Sequence, residues 1–183
     1  AAFDAWIARQ YPRSLRYWEQ TFELAPESFW PFLGTAYNHW CSTGDLAAAR
    51  RALQEMPDAP NPWITWTWYW QELYEGRYDE ALRRVESMDG VWLTSKVAHR
   101  PQAFLRAMAL EAAGRDAEAR GQWVVALEVI SAAVKESPTD SLLRSSYGMA
   151  LAALDQHDRA IEVGRRATEL LPVSRDAFYG VTA

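Results

Sequence analysis

The sequence predicts an all-α fold, a solenoid of antiparallel helix pairs, and three observations carry that prediction. A landmark of small residues after a turn recurs four times, in TGDLAAARRAL (43–53), EGRYDEALRRV (75–85), AGRDAEARGQW (113–123) and DQHDRAIEVGR (155–165). Apolar residues follow steps of three and four, as in Trp30, Leu33, Gly34, Tyr37 and Trp40, with polar Thr35, Asn38 and His39 outside that stripe. No segment alternates with period two for long enough to argue a sheet. One helix pair cannot bury both its faces, so consecutive pairs must stack.

Taken in order, helices are expected near 3–10, 14–24, 28–42, 45–55, 62–74, 77–87, 101–113, 115–136, 140–154 and 157–170. Asn61 before Pro62 reads as an N-cap followed by a first-turn proline. Gly44, Gly76 and Gly114 stand where a left-handed residue must end a helix, and Asp155 takes that place at the fourth turn. Asp89, Gly90 and the residue before Pro101 favour a connecting loop over 89–100. Aligning the landmarks on Ala49, Ala81, Ala119 and Ala160 gives spacings of 32, 38 and 41 residues. Pro138 and Pro172 lie 34 residues apart and each closes a helix. Small residues recur at these places because paired helices approach closely there, with Trp123, Leu127 and Leu151 filling the gaps.

Composition narrows the function classes. The chain has 183 residues, 49% of them apolar, enough for a large buried core. The formal charge is -5 and the 19 basic residues are spread along the length, whereas nucleic-acid binding needs a clustered basic face. No run of about 18 apolar residues suggests a membrane span. The single cysteine, Cys41, cannot form an internal disulfide, and residues 1–20 lack a signal peptide's basic start and apolar core, so a reducing, cytoplasmic location is expected. The opening AAFDAWIARQ lacks Met and the close AFYGVTA falls where another helix would begin, which reads as a piece of something longer.

At this point the repeats resemble a known family. WPFLGTAY (30–37) fits the W-x-x-L-G-x-x-Y signature of the tetratricopeptide repeat, and Ala49, Ala81, Ala119 and Ala160 match its second-helix alanine. The last unit adds Gly148, Ala167 and Pro172 at the family spacing. The middle units diverge, with Trp68 and Tyr69 where Leu and Gly are usual and a second helix lengthened over 115–136. The resemblance implies one right-handed superhelical domain over 1–183. It comprises a helical lead-in (1–26), repeats near 27–57, 62–88, 100–138 and 141–174, and the start of a further helix at 175–183. LRYWEQTFELAPESFWPFLGTAY and AIEVGRRATELLPVSRDAF are similar to repeat regions of bacterial signalling proteins, among them Ser/Thr kinases, adenylate cyclases and winged-helix regulators.

Nothing in the sequence assembles chemistry. It has no P-loop, dinucleotide fingerprint, HExxH helix or paired CxxC motif, and only three histidines. His39 and Cys41, two positions apart on a helix, point about 200° apart and cannot share a metal or form a nucleophile and base. His99 and His157 read as solvated or capping residues. Carboxylates in EGRYDEAL and GRDAEAR sit in first helical turns, where they oppose the positive helix end. Arg50/Arg51, Arg83/Arg84 and Arg165/Arg166 read as a solvated outer face. The expectation is a non-catalytic protein without cofactor or metal.

In the family, first helices line a concave groove. Carried over by register, the groove set includes Thr35, Asn38 and His39 beside Ser28 and Pro31, then Trp63, Trp66, Trp70 and Tyr74 beside Leu73, then Phe104, Met108 and Glu111, and finally Met149 beside Leu142 and Ser145. The set contains no Lys or Arg, which argues against a clamp for a peptide's terminal carboxylate. It offers an aromatic stripe instead, Trp63, Trp66 and Trp70, with Trp68 opposite, and tryptophan is the commonest binding hot spot. The same all-round apolarity also fits a helix sandwiched in a core, and both readings stay open.

The function expected is a protein-interaction or scaffold module, regulatory in a larger protein, that binds a peptide, a helix or a neighbouring domain. Neither nucleic acid nor membrane is expected as a direct partner. A Trp-lined small-molecule sensor is the alternative. An uncapped last face would add self-association at the C-terminal end.

Overall fold

The computed structural model describes residues 1–57, 61–95, 98–176 and 180. Among them are ten helices and one small antiparallel hairpin, and the chain divides into two compact units, Ala1–Arg77 and Tyr78–Ala183. The division falls between the two helices of the repeat expected at 62–88.

The N-terminal unit holds α1 (Ala2–Ile7), α2 (Tyr11–Leu24), α3 (Trp30–Ser42), α4 (Leu46–Gln54) and α5 (Pro62–Tyr74). Arg9 ends α1 in a left-handed conformation at φ 56°, and Pro12 stands in the first turn of α2. Gly44 at φ 69° separates α3 from α4, whose first turn is capped by Asp45 accepting from the Ala48 N–H at 2.9 Å. Asn61 caps α5 as expected, its Oδ1 accepting from the Trp63 N–H at 2.9 Å. The residues expected as a lead-in thus form a helix hairpin of their own, α1 with α2.

Gly34 shows why a small residue stands in the signature. A Cβ there would lie 2.0 Å from the Trp18 indole, so α2 and α3 meet with the ring laid on bare backbone. Trp18 is buried and stacked edge-on with Phe3 at 4.9 Å, and burying such a side chain contributes about 2 to 3 kcal/mol. Leu33, Ala36, Ala49 and Leu53 close the α3–α4 core, with Trp30, Tyr37, Trp40, Trp63 and Trp68 packed around them. A buried polar thread runs through the hairpins: Asn38 Nδ2 donates to Gly34 O (2.7 Å) and to Ser14 Oγ (3.1 Å), and Ser14 donates to Ala2 O (2.9 Å).

The C-terminal unit holds α6 (Tyr78–Glu86), β1 (Trp92–Thr94), β2 (His99–Pro101), α7 (Gln102–Ala112), α8 (Asp116–Glu136), α9 (Ser141–Ala153) and α10 (His157–Leu170). The expectation of a plain loop over 89–100 is corrected here. Trp92 pairs with Pro101, Leu93 with Arg100 and Thr94 with His99. Two strands of three residues are too short to display a period, yet Leu93 and Ala98 are buried, and the Gln102 amide ties the hairpin by donating to Gly90 O at 2.9 Å. Phe104, Ala107, Trp123, Ala126, Ile130 and Ala150 form the core, with Phe104 and Trp123 edge to face at 4.7 Å. Gly114 (φ 71°) and Asp155 (φ 61°) are left-handed at the turns where the sequence placed them. Ala49, Ala81 and Ala119 are buried and Ala160 is half-buried, with the Gly148 backbone against Ala160 O. The helix expected from 175 onward lies mostly outside the described residues.

Among the described residues no helix is long and apolar enough to cross a membrane.

Candidate functional site: an aromatic cleft in the N-terminal unit

On α5, Trp66, Trp70 and Tyr74 are spaced by four, so their side chains stack along one stripe. On α3, Tyr37, Trp40 and Cys41 form the facing stripe, and α1 contributes Trp6. With Gly44 and Leu46 from the α3–α4 turn, these residues line a cleft of about 520 Å³. That volume is in the range of small-ligand sites.

The rings form a continuous series. Trp6 and Tyr37 lie 6.0 Å apart between centroids, Tyr37 and Trp40 5.0 Å at 89°, and Trp40 and Tyr74 5.2 Å at 79°. Tyr74 then meets Trp70 at 5.6 Å, and Trp70 meets Trp66 at 5.4 Å and 81°. Near-perpendicular neighbours are favoured by the ring quadrupoles, and they make walls rather than a flat stack.

A polar network behind the wall fixes Trp40. Its indole N–H donates to Gln71 Oε1 at 2.7 Å, and Gln71 Nε2 donates to Leu46 O at 2.9 Å and Glu75 Oε1 at 2.6 Å. Glu75 is held in turn by Arg50, whose Nε donates at 2.8 Å, while the Arg50 guanidinium lies 5.2 Å from the Trp68 ring centre. Gln71 is fully buried, so all three of its bonds replace lost water. Burial alone would raise the Glu75 carboxyl, but hydrogen bonds from Arg50 and Gln71 and the charges of Arg50 and Arg77 outweigh it and hold the group below its ordinary value.

Among the described residues the lining carries no ionised side chain. Burial pushes Tyr37 up to about 12, and burial also raises Tyr74 and the Cys41 thiol. Thr67 Oγ1 spends its proton on Trp63 O at 2.7 Å, so the Tyr37 hydroxyl is the donor in its 3.1 Å contact with Thr67. The cleft therefore presents neutral aromatic faces at any pH near neutrality.

The expected groove residues separate accordingly. Trp66, at 9% exposure, and Trp70 line the cleft, with Tyr74 half open at 51%, whereas Trp63 packs on the α3–α4 core beside Trp30. Thr35 is half-buried in a different depression, with Trp18, Phe22 and Phe32, and His39 is half-buried on α3. Asn38 and Phe104, expected to face a partner, are corrected: both are fully buried, Asn38 because its amide joins helices and Phe104 because it packs on Trp123. In the C-terminal unit, Met108 and Met149 present their sulfurs to Arg100 at 3.9 and 3.8 Å, and Glu111 is exposed. His99 is bonded through Nδ1 to Asp140 Oδ2 at 2.9 Å, and Asp140 also caps α9.

Sequence reasoning missed Trp6, Cys41 and Leu46, and it assigned Tyr37 and Trp40 to the core stripe. Their signal was the unusual aromatic content of the α3 stripe, which a packed interior alone does not require. Among the described residues, no group of three or more His, Cys, Asp or Glu side chains is placed to hold a metal ion.

Among the described residues the fold is all-α, built of successive helix pairs with one small hairpin, and its N-terminal unit holds a neutral aromatic cleft. No family model matches the chain, and no curated protein matches it. Among solved structures it is similar to MamA (AMB-1), with a TM-score of 0.47 and 15% identity over 92% of this chain and 94% of that one. A likeness of that degree carries no function across.

Proposed function

We propose that this protein is a non-catalytic interaction module that takes an anchoring group of a protein partner into the aromatic cleft. The observation that supports this reading is the convergence of Trp6, Tyr37, Trp40, Trp70 and Tyr74 from three helices on one cavity, with no ionised residue among the described ones that line it. Rigid aromatic anchors in a desolvated pocket are the common form of a binding hot spot. Of the expected groove set, Trp66, Trp70 and Tyr74 carry the reading. Thr35, His39 and Trp63 are proposed only as further contacts of the same unit, and Met108, Glu111 and Met149 as a separate contact surface of the C-terminal unit. The resemblance to repeat regions of bacterial signalling proteins supports a regulatory, cytoplasmic setting within a larger parent.

Selection from a displayed peptide library tests it. Peptides that share an anchor residue and lose binding to a folded Trp70→Ala, Tyr74→Ala variant are the expected result. Enrichment that ignores the variant, or no enrichment, overturns the reading. The cavity's volume also suits a small molecule, and the sensor alternative predicts saturable Trp quenching by a metabolite without peptide selection. Self-association through α10 is a lesser proposal, resting on Ile161, 55% exposed among Arg165, Arg166, Glu162 and Glu169. Light scattering that gives a constant monomer mass across concentration would overturn it.

A further inference from the structure

We infer that the cleft is a cation-selecting aromatic cage and that the group it takes is an alkylated ammonium, either on a partner side chain or as a free amine. This rests on the reading that the cleft is the binding site and adds the chemistry of what enters it.

The walls are the first argument. Tyr37 and Trp40 stand at 89° and Trp40 and Tyr74 at 79°, so the ring planes are not parallel and the lining offers aromatic surface in more than one orientation. Ring faces carry negative potential, and a compact cation with an apolar shell is attracted to them while keeping its methyl groups out of water. Because the lining is neutral, the cation loses hydration to a soft, diffuse charge rather than to a carboxylate.

The second argument is electronic. Both Trp40 and Tyr37 act as hydrogen-bond donors through their polar ends, to Gln71 Oε1 and Thr67 Oγ1. Gln71 is itself bonded to the ionised Glu75. Donation polarises each ring toward greater electron density, and linked bonds reinforce one another. The hydrogen-bonded ends thus tune the faces toward cations.

Charge complementarity is the third. Residues 1–77 contain nine Asp and Glu against six Arg, and the stretches 28–44 and 59–71, which supply most of the walls, contain no Asp, Glu, Lys or Arg. Among the described residues an anion meets no cation in the lining, and the sequence of the unit around it is not net positive. A neutral apolar group gains burial but not the ring electrostatics.

The test is a titration of the whole chain, followed by Trp fluorescence, with choline and with its neutral carbon isostere dimethylbutanol. The expected result is saturable choline binding about fivefold or more tighter than the isostere, weakened about tenfold by Trp70→Leu or Tyr74→Leu. Cys41, exposed at the cleft edge, supplies a readout that needs no variant, since choline should slow its alkylation and the isostere should not. Equal binding of the two probes, or no binding of choline with no protection of Cys41, overturns the cage. A trimethyl-lysine peptide that binds tighter than choline, and tighter than its unmethylated form, assigns the group to a partner side chain. Equal affinity of that peptide and choline assigns it to a free amine. Cleft-dependent peptides selected without choline binding would remove the cation inference alone. Choline binding without selected peptides would remove the protein-partner reading and keep the cage.

Discussion

The indole N–H of Trp40 donates to the buried side chain of Gln71 at 2.7 Å, and this bond, made across 31 residues of sequence, joins α3 to α5 behind the cleft. Gln71 answers with two further bonds, to Leu46 O and to Glu75, so one amide sets the orientation of an aromatic wall, the start of α4 and a carboxylate. Replacing Gln71 with Ala leaves the half-buried Trp40 indole N–H without its acceptor and takes one donor from Glu75. Gln71→Ala should cost about 1 to 3 kcal/mol in urea unfolding and shift Trp emission to the red as the wall loosens. A variant as stable as the parent would show that Trp40 is held by ring packing alone.

Glu75 gives the unit a pH dependence whose sign is fixed. Its carboxyl is held below the ordinary 4.5, so the folded state favours the anion. The stability it contributes is present above about pH 4.5 and disappears as pH falls through the lower folded value. Glu75→Gln should flatten the acid limb of the stability profile measured by thermal unfolding between about pH 3 and 6. An unchanged limb would move the acid sensitivity to other carboxylates.

Tyr37 acts at the other end of the scale. Burial raises its phenol from 10.0 to about 12, so the folded state holds a proton that the unfolded chain releases. That stabilisation is complete below about pH 10 and is lost as pH rises toward about 12. Tyr74 is raised in the same direction, so Tyr37→Phe should reduce, without abolishing, the alkaline slope. Absorbance titration of the phenols checks the assignment, since one tyrosine fewer should ionise late.

Gly34 has no room for a side chain. Gly34→Ala puts a Cβ at 2.0 Å from the Trp18 indole, and because that ring is rigid and itself packed on Phe3, the helices must separate. The expected loss is about 1 to 3 kcal/mol or more, with a collapse of the near-ultraviolet circular dichroism from Trp18. Gly164, where an added methyl group would meet nothing within 4 Å, is the control, and Gly164→Ala should be neutral or slightly stabilising.

The helices were legible because each is written more than once in the chain. The 62–74 and 157–170 ranges agree with α5 and α10 to the residue, since Asn61 and Pro62 set one start and the turns are marked by Gly76 and Asp155. The hairpin at 92–101 was hidden because three-residue strands carry no period, and only their tertiary packing orders them. The site was half legible. The stripe Trp66, Trp70 and Tyr74 follows from spacing, but its opposite wall does not, because Tyr37 and Trp40 satisfy the rule for core and for cleft equally. Trp6 enters from a six-residue helix whose placement depends on the Ser14–Asn38 thread, a contact between side chains 24 residues apart. Asn38 was misplaced for the same reason: a polar residue off the apolar stripe is expected at the surface, and here it is buried because two internal acceptors receive its amide.

The most direct test of the cleft as the binding site is residue-resolved. The chain contains ten tryptophans, and their indole N–H signals report by nuclear magnetic resonance on both units at once. Titration with a selected peptide or with choline should move the signals of Trp6, Trp40 and Trp70 and leave Trp92 and Trp123, in the C-terminal unit, where they are. Shifts confined to Trp92 and Trp123, or none at the cleft under saturating ligand, would contradict the account.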